Sequence, residues 1–106
     1  MAFNLEWSEE ALEDIESIAT YIAKDSPTYA KSVVSKFFEK AEILQEFSEL
    51  GCKVPEFNDA TIREIFVYSY RLIYKLSKEK ILLVAIVHGK RLLENHKQSI
   101  TKTRSQ

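Results

Sequence analysis

The spacing of apolar residues divides the first half of the chain into a short strand and two helices. Residues 3–7 alternate between apolar and polar side chains, which is typical of a half-buried strand. Ser8 is a suitable helix N-cap, and apolar residues three and four apart predict a helix from there to about Lys24. Ser26 and Pro27 start a second helix, because Ser caps a helix and Pro is tolerated in its first turn. The short connection predicts an antiparallel helical hairpin.

The apolar face of the second helix is long, and Gly51 is the predicted stop of that helix. This face consists of Ala30, Val33, Val34, Phe37, Ala41 and Leu44. After a loop through Pro55, the apolar period changes from 3.6 to 2, and residues 62–67, 70–76 and 81–88 predict three strands. Their short turns predict an antiparallel meander, whose last strand is apolar on both faces and therefore interior. We expect an α+β fold of order β-α-α-β-β-β, a small antiparallel sheet packed against a helical hairpin.

Length and composition predict one compact domain over residues 1–97, followed by a polar tail over residues 98–106 that we expect to fray. The first residues do not resemble a signal peptide, and the longest apolar run, 81–87, is too short to span a bilayer. Cys52 is the single cysteine, so the chain cannot form an internal disulfide. These features favour the cytoplasm. No spacing of Cys and His predicts a metal site, and no cofactor is expected.

Charge is divided unevenly along the chain. Residues 1–60 carry 5 Lys+Arg and 13 Asp+Glu, a balance of −8, whereas residues 61–106 carry 10 and 3, a balance of +7. The basic half is suited to nucleic acid or to an acidic protein segment. The total of −1 argues against a dedicated nucleic-acid binder. Two solvated faces are the simpler alternative.

Four basic side chains stand out in the last strands. Arg63, Arg71, His88 and Arg91 come from consecutive strands that are otherwise apolar. If the strands pair, we expect the four side chains to lie within one patch, which is the candidate functional surface. For Arg71 the structural alternative is a salt bridge to Glu64 across the hairpin.

The order of these elements and their motifs resembles the ParE/RelE superfamily of small bacterial toxins from type II toxin–antitoxin pairs. The resemblance extends to about Arg91 and rests on the motifs Trp7-Ser8-Glu9-Glu10-Ala11, Val54-Pro55-Glu56, Ile62-Arg63-Glu64, Tyr70-Arg71-Leu72-Ile73-Tyr74 and Val87-His88-Gly89-Lys90-Arg91. The Val-Pro-Glu loop, the Arg-Glu strand and the His-Gly-x-Arg ending are more similar to the ParE branch. One departure is Cys52, where ParE-like sequences commonly carry a basic residue, and Lys53 is the cation expected to replace it.

The resemblance implies a cytoplasmic growth inhibitor, associated with plasmid stabilisation, that poisons DNA gyrase by binding it. For that function the target-binding residues would be Arg63, Arg71, Lys90 and Arg91, because Arg is enriched at interface anchors. The RelE branch implies instead an endoribonuclease that cuts messenger RNA on the ribosome. Its residues would be His88 as the proton-transfer group, Arg63 and Arg71 as phosphate clamps and Tyr74 as a donor.

The resemblance also implies a cognate antitoxin whose segment folds onto the toxin in a hetero-oligomer. The strip between the first helix and the sheet edge is the expected receptor, through helix-in-groove or strand-addition contacts. No membrane partner is expected. A third alternative is a degenerate toxin that binds its antitoxin but no longer inhibits growth.

Overall fold

The computed structural model describes residues 3–89 of the chain. Within that range the elements are β1 (Asn4–Trp7), α1 (Glu9–Ala23), α2 (Pro27–Ile43), β2 (Cys52–Lys53), β3 (Ile62–Val67), β4 (Tyr70–Ser77) and β5 (Lys80–His88). The strands form one sheet in the order β1-β5-β4-β3-β2, and the helical hairpin packs on one of its faces. The predicted α+β fold and element order are therefore confirmed, with one additional short strand, β2.

Both helix starts are capped as the sequence predicts. The Ser8 hydroxyl accepts a hydrogen bond from the Ala11 N–H at 3.0 Å, and the Ser26 hydroxyl accepts one from the Tyr29 N–H at 3.1 Å. Each bond satisfies an N–H that the helix itself leaves without a partner.

The end of α2 differs from the prediction. The helix ends at Ile43 and not near Gly51, because the chain turns as soon as Leu44, the last residue of the apolar face, is buried. Gly51 lies in the segment after the helix, where its N–H donates a hydrogen bond to Tyr74.

The sheet is mixed and not wholly antiparallel. β3, β4 and β5 form the predicted antiparallel meander, and β5 is interior as its apolar sequence indicates. β1 pairs with β5 in parallel, from Asn4 beside Lys80 to Trp7 beside Leu83. Two parallel strands need a crossover connection, and here that connection consists of everything between β1 and β5, including the helical hairpin.

Each face of the sheet carries its own apolar cluster, since successive side chains of a strand point to opposite faces. The helix-covered face holds the larger cluster, which includes Phe37 and Leu44 of α2 and its C-terminal turn, and Leu72 and Tyr74 of β4. The other face, called here the helix-free face because neither α1 nor α2 contributes to its cluster, holds a smaller cluster that includes Ile62, Ile73 and Val87. Residues 54–61 form a loop, called here the 54–61 loop. Its Val54 belongs to the smaller cluster and its Phe57 packs against it.

Candidate functional site

Arg71 lies at the centre of a buried ion-pair cluster on the helix-free face. Its Nε donates to Glu64 Oε1 at 2.5 Å, and its Nη1 and Nη2 donate to the two carboxylate oxygens of Glu56 at 2.9 and 2.8 Å. Arg71 is 5% exposed and Glu64 is 6% exposed. The predicted pair with Glu64 is confirmed, but Glu56, from the 54–61 loop, is the partner that binds the guanidinium in the bidentate geometry.

The two carboxylates keep Arg71 charged and oriented. The hydrogen bonds that Arg71 donates to Glu56 are the largest cause that raises the pKa of Arg71 above its ordinary value; burial acts in the opposite direction, and Glu64 adds to the increase. The three ionised groups carry a net charge of −1. Arg71 of β4 thus holds the 54–61 loop on the sheet, because its Nη1 and Nη2 bind Glu56 of the loop while its Nε binds Glu64 of β3.

Arg63 lies on the opposite face of the sheet from Arg71. Alternation along β3 places the Arg63 side chain on the same face as Ile65 and Val67, which belong to the helix-covered cluster. Alternation along β4 places Arg71 on the same face as Ile73, which belongs to the cluster of the helix-free face. Its Nη1 donates to the Gly51 carbonyl oxygen at 2.7 Å. The expectation that Arg63 and Arg71 share one patch is therefore wrong.

Tyr74 completes a chain of hydrogen bonds around Gly51. The Gly51 N–H donates to Tyr74 Oη at 2.9 Å, and Tyr74 Oη donates to the Ser48 carbonyl oxygen, also at 2.9 Å. Tyr74 is fully buried, and burial is the largest cause that raises its pKa above 10, against the hydrogen bond from Gly51 and the charge of Arg63. At neutral pH the phenol keeps its proton and holds the segment after α2 in place.

Gly51 has no room for a side chain. A Cβ built at this position would lie 2.5 Å from the Glu64 carbonyl oxygen and 2.6 Å from Tyr74 Oη. The requirement for glycine is a close approach of backbone and phenol, since none of the described glycines has a positive φ.

His88 lies at the far end of the helix-covered face. Its ring meets the edge of Tyr70 with centroids 5.7 Å apart, and Tyr70 is its partner in the strand register. Arg63 pairs instead with Tyr74, which is four residues further along β4, roughly 13 Å at about 3.3 Å per residue. The four residues considered for RNA cleavage are thus not together. Arg71 lies on the helix-free face, whereas Arg63 and Tyr74 lie at one end of the helix-covered face and His88 lies at its other end. Lys90 and Arg91 lie outside the described residues.

Cys52 and Lys53 form the edge strand β2. Cys52 is opposite Glu64 in the register and Lys53 is opposite Arg63, so their side chains point to different faces. Lys53 therefore does not present its charge where a basic residue at position 52 would. Sequence reasoning also missed the role of Glu56, for which the only signal was its place in the Val-Pro-Glu motif.

Within residues 3–89 there is no group of three His, Cys, Asp or Glu side chains arranged for a metal ion. The helices of that range are all too short or too polar to cross a membrane.

A family model for the ParE toxin of the type II toxin–antitoxin system parDE matches residues 5–93. The chain belongs to the ParE toxin family. The search of curated proteins returned no match. Among solved structures, a chain of the chromosomal ParDE system from P. aeruginosa is 19% identical with a TM-score of 0.68, over 82% of this chain and 96% of that one.

Two further solved structures share the fold of this ParE family member. A free-state mutant of E. coli toxin RelE is 18% identical with a TM-score of 0.66, over 97% of this chain and 98% of that chain. The YoeB dimer from Staphylococcus aureus is 19% identical with a TM-score of 0.60, over 83% and 98%. At these identities the structures establish the fold alone.

Proposed function

We propose that this ParE family member is a cytoplasmic bacterial toxin that inhibits DNA gyrase by binding it and that is neutralised by a cognate antitoxin. The observation that carries the proposal is the separation of the candidate catalytic residues, in a chain that matches the ParE model over residues 5–93. A toxin of this kind needs a shaped surface but no acid–base pair.

The geometry argues against RNA cleavage by the candidate residues. Cleavage through a 2′-hydroxyl needs a base, an acid and cations within hydrogen-bond reach of one phosphate. Arg71 binds Glu56 and Glu64 on the helix-free face, while His88 lies on the other face. Tyr74 is fully buried and protonated at neutral pH. No single phosphate contacts all of these groups in this arrangement.

Two features of the described residues suit an antitoxin segment. The first is an apolar groove between the helices, lined by Ala19, Ala23, Pro27, Ala30 and Val34. The second is the outer edge of β1. The Asn4 N–H points toward β5 and the Phe3 N–H toward Gln45, so by alternation the N–H and C=O of Leu5 point outward. A partner helix in the groove and a strand on this edge are both physically reasonable contacts.

The charge of α1 indicates what such a segment would carry. Glu9, Glu10, Glu13 and Glu16 are exposed, and the last turn of the helix has no basic residue. An antitoxin segment with Lys or Arg beside its apolar positions would complement this surface and gain association rate from it.

A supercoiling assay with purified gyrase tests the proposal. The toxin alone is expected to inhibit supercoiling, and the preformed toxin–antitoxin complex is the matched control expected to leave gyrase active. An unaffected gyrase, together with messenger RNA cut in a purified translation system, would contradict the proposal in favour of the RelE-like alternative. Unchanged gyrase and translation would indicate a degenerate toxin.

A further inference from the structure

Five ring side chains from separate elements meet at one end of the molecule. We call this surface the tyrosine pole: Tyr21 near the end of α1, Tyr29 in the first turn of α2, Tyr68 in the β3–β4 turn, Tyr70 in β4 and His88 at the end of β5. The rings of Tyr29 and Tyr68 have centroids 6.3 Å apart, and those of Tyr70 and His88 are 5.7 Å apart. Tyr21 is 71%, Tyr29 49% and Tyr68 53% exposed.

Tyr70 connects this surface to the core. Its ring meets the edge of the buried Phe37 ring at 5.7 Å, on the side away from solvent. Burial is the largest cause that raises the pKa of Tyr70, and the neighbouring Tyr29 and Tyr21 add to the increase. The exposed rings are therefore held around a phenol that packs on the core.

The backbone at Tyr68 is strained. Its φ is +56°, a conformation that is an outlier for a bulky side chain. Two-residue hairpin turns normally place Asn, Asp or Gly where φ is positive. The ring of Tyr68 is half exposed, so burial does not account for a tyrosine at this position. Glu79 has a similar φ, so it is the combination of this strain with a bulky, half-exposed ring at Tyr68 that favours a contact outside the chain.

The charges around the pole favour a protein as the partner. Lys24 lies next to Asp25 in the helical connection, and Lys36, which is close to Tyr68, forms an ion pair with Glu39 at 3.0 Å. Nucleic-acid binding needs several phosphate-binding cations on one surface, whereas these described charges pair with carboxylates or lie beside them. Exposed tyrosines that combine an apolar ring with a hydroxyl are typical of protein–protein hot spots.

The α2 anchor of the tyrosine pole, Tyr29, lies away from the groove assigned above to the antitoxin, whereas Tyr21 lies beside Glu16 and Thr20 of α1 and is therefore not used as an anchor. At 100° per residue, Tyr29 and Lys36 lie on the flank of α2 that faces the β3–β4 turn. Pro27, Lys31 and Ser35 line the groove on the opposite flank. Substitutions at Tyr29 and Tyr68 should therefore leave binding in this groove unchanged.

We propose that the tyrosine pole is the surface through which this protein binds its target protein, with Tyr29 and Tyr68 as anchors. This inference rests on the proposed function, in which the toxin acts by binding a protein. A folded partner would cover the exposed rings with apolar side chains and offer carbonyl or carboxylate oxygens to the tyrosine hydroxyls.

The test is the double variant Tyr29→Ala/Tyr68→Ala, with Phe47→Ala as the matched control. Phe47 is an aromatic residue that is 62% exposed beyond the other end of α2. Each protein is assayed for gyrase inhibition, for growth inhibition on induction and for antitoxin binding, after circular dichroism confirms folding. Losing hot-spot residues is expected to raise the toxin concentration needed for half inhibition at least about tenfold, with antitoxin affinity within about twofold. The control should match the unaltered protein in all three assays.

Half-inhibition concentrations within about twofold of the unaltered protein would overturn the inference, and so would a loss of antitoxin binding by the double variant. If the unaltered toxin leaves gyrase active, the proposed target fails while the pole is still judged by growth inhibition. In that case a double variant that stops inhibiting growth supports the pole, and one that inhibits fully overturns it. The variant Tyr29→Phe/Tyr68→Phe keeps the rings and should retain most of the activity.

Discussion

Arg71 binds the carboxylate of Glu56 through two hydrogen bonds of 2.9 and 2.8 Å, and this pair fastens the 54–61 loop to the helix-free face of the sheet. The arginine that the sequence offers as a target-binding group therefore has a structural task within the chain. Its Nε also neutralises Glu64, which would otherwise be a buried carboxylate without a counter-charge.

The first prediction concerns that cluster. Arg71→Ala should lower the free energy of unfolding by about 3 kcal/mol or more at pH 7, because it leaves the Glu64 carboxylate buried without its cation. Urea denaturation measures the change, and Lys78→Ala in the exposed β4–β5 turn is the control. A loss below about 1 kcal/mol, the usual size for an exposed ion pair, would show that the cluster is not buried in solution.

The second prediction concerns the contact between Gly51 and Tyr74. Gly51→Ala should cost about 2 kcal/mol, because the added methyl group meets the Glu64 carbonyl oxygen and Tyr74 Oη. In the background of Tyr74→Phe the same substitution should cost less, since one of the two clashing oxygens is absent. Thermal or urea unfolding of the four proteins gives this coupling. Equal costs in both backgrounds would mean that the hydroxyl of Tyr74 does not obstruct the added methyl group; the ring carbon Cε1, 2.9 Å from the built Cβ, remains in both backgrounds.

The third prediction concerns alkaline pH. Burial in the folded protein raises the pKa of Tyr74 above the value of 10 that it has in the unfolded chain. Between these two pKa values the unfolded chain has lost the phenol proton and the folded chain still keeps it. The stability that the neutral phenol contributes is complete below about pH 10 and falls as the pH rises further. Tyr74→Phe should be less stable by about 1–2 kcal/mol at pH 7 because two hydrogen bonds are lost.

That variant should also lose stability less steeply above pH 10 than the unaltered protein. Some slope should remain, because burial raises the pKa of Tyr70 as well. Identical slopes for the two proteins would contradict the assignment of this pH dependence to Tyr74.

The fourth prediction concerns the two hairpin turns. Tyr68 and Glu79 have positive φ values of 56° and 55°, and asparagine tolerates this conformation better than either residue. Tyr68→Asn and Glu79→Asn should each raise the free energy of unfolding by about 0.5–1 kcal/mol, a part of the roughly 1–2 kcal/mol that the left-handed conformation costs an ordinary side chain. The tyrosine pole adds a difference between them: Tyr68→Asn should reduce growth inhibition, whereas Glu79→Asn should leave it unchanged. Reduced inhibition by both variants would point to stability as the common cause.

The elements could be read from the sequence because they depend on local patterns, as the caps at Ser8 and Ser26 and the two-faced apolar strand β5 illustrate. The parallel pairing of β1 with β5 could not, because it joins residues some 76 positions apart, such as Asn4 and Lys80. α2 ends earlier than Gly51 predicts, because this glycine is required by its close approach to Tyr74 and Glu64 and does not stop the helix.

The residues of the candidate site differ in how far the sequence predicts their positions. The two-residue turn at Tyr68 and Ser69 fixes the register of β3 and β4, and that register puts Arg63 and Arg71 on opposite faces. The sequence therefore contains the information that places the two arginines on opposite faces. Glu56 was not predictable in the same way, because a loop residue has no periodicity that shows which side chain it meets.

The central claim is that this protein acts on gyrase, and pulse-labelling of DNA and protein synthesis tests it most directly. The toxin is induced without antitoxin in a bacterial culture, and incorporation of labelled thymidine and of labelled amino acid is followed over the first minutes. We expect DNA synthesis to fall first while protein synthesis continues. An earlier fall of protein synthesis would contradict the account and indicate a ribosome-dependent nuclease.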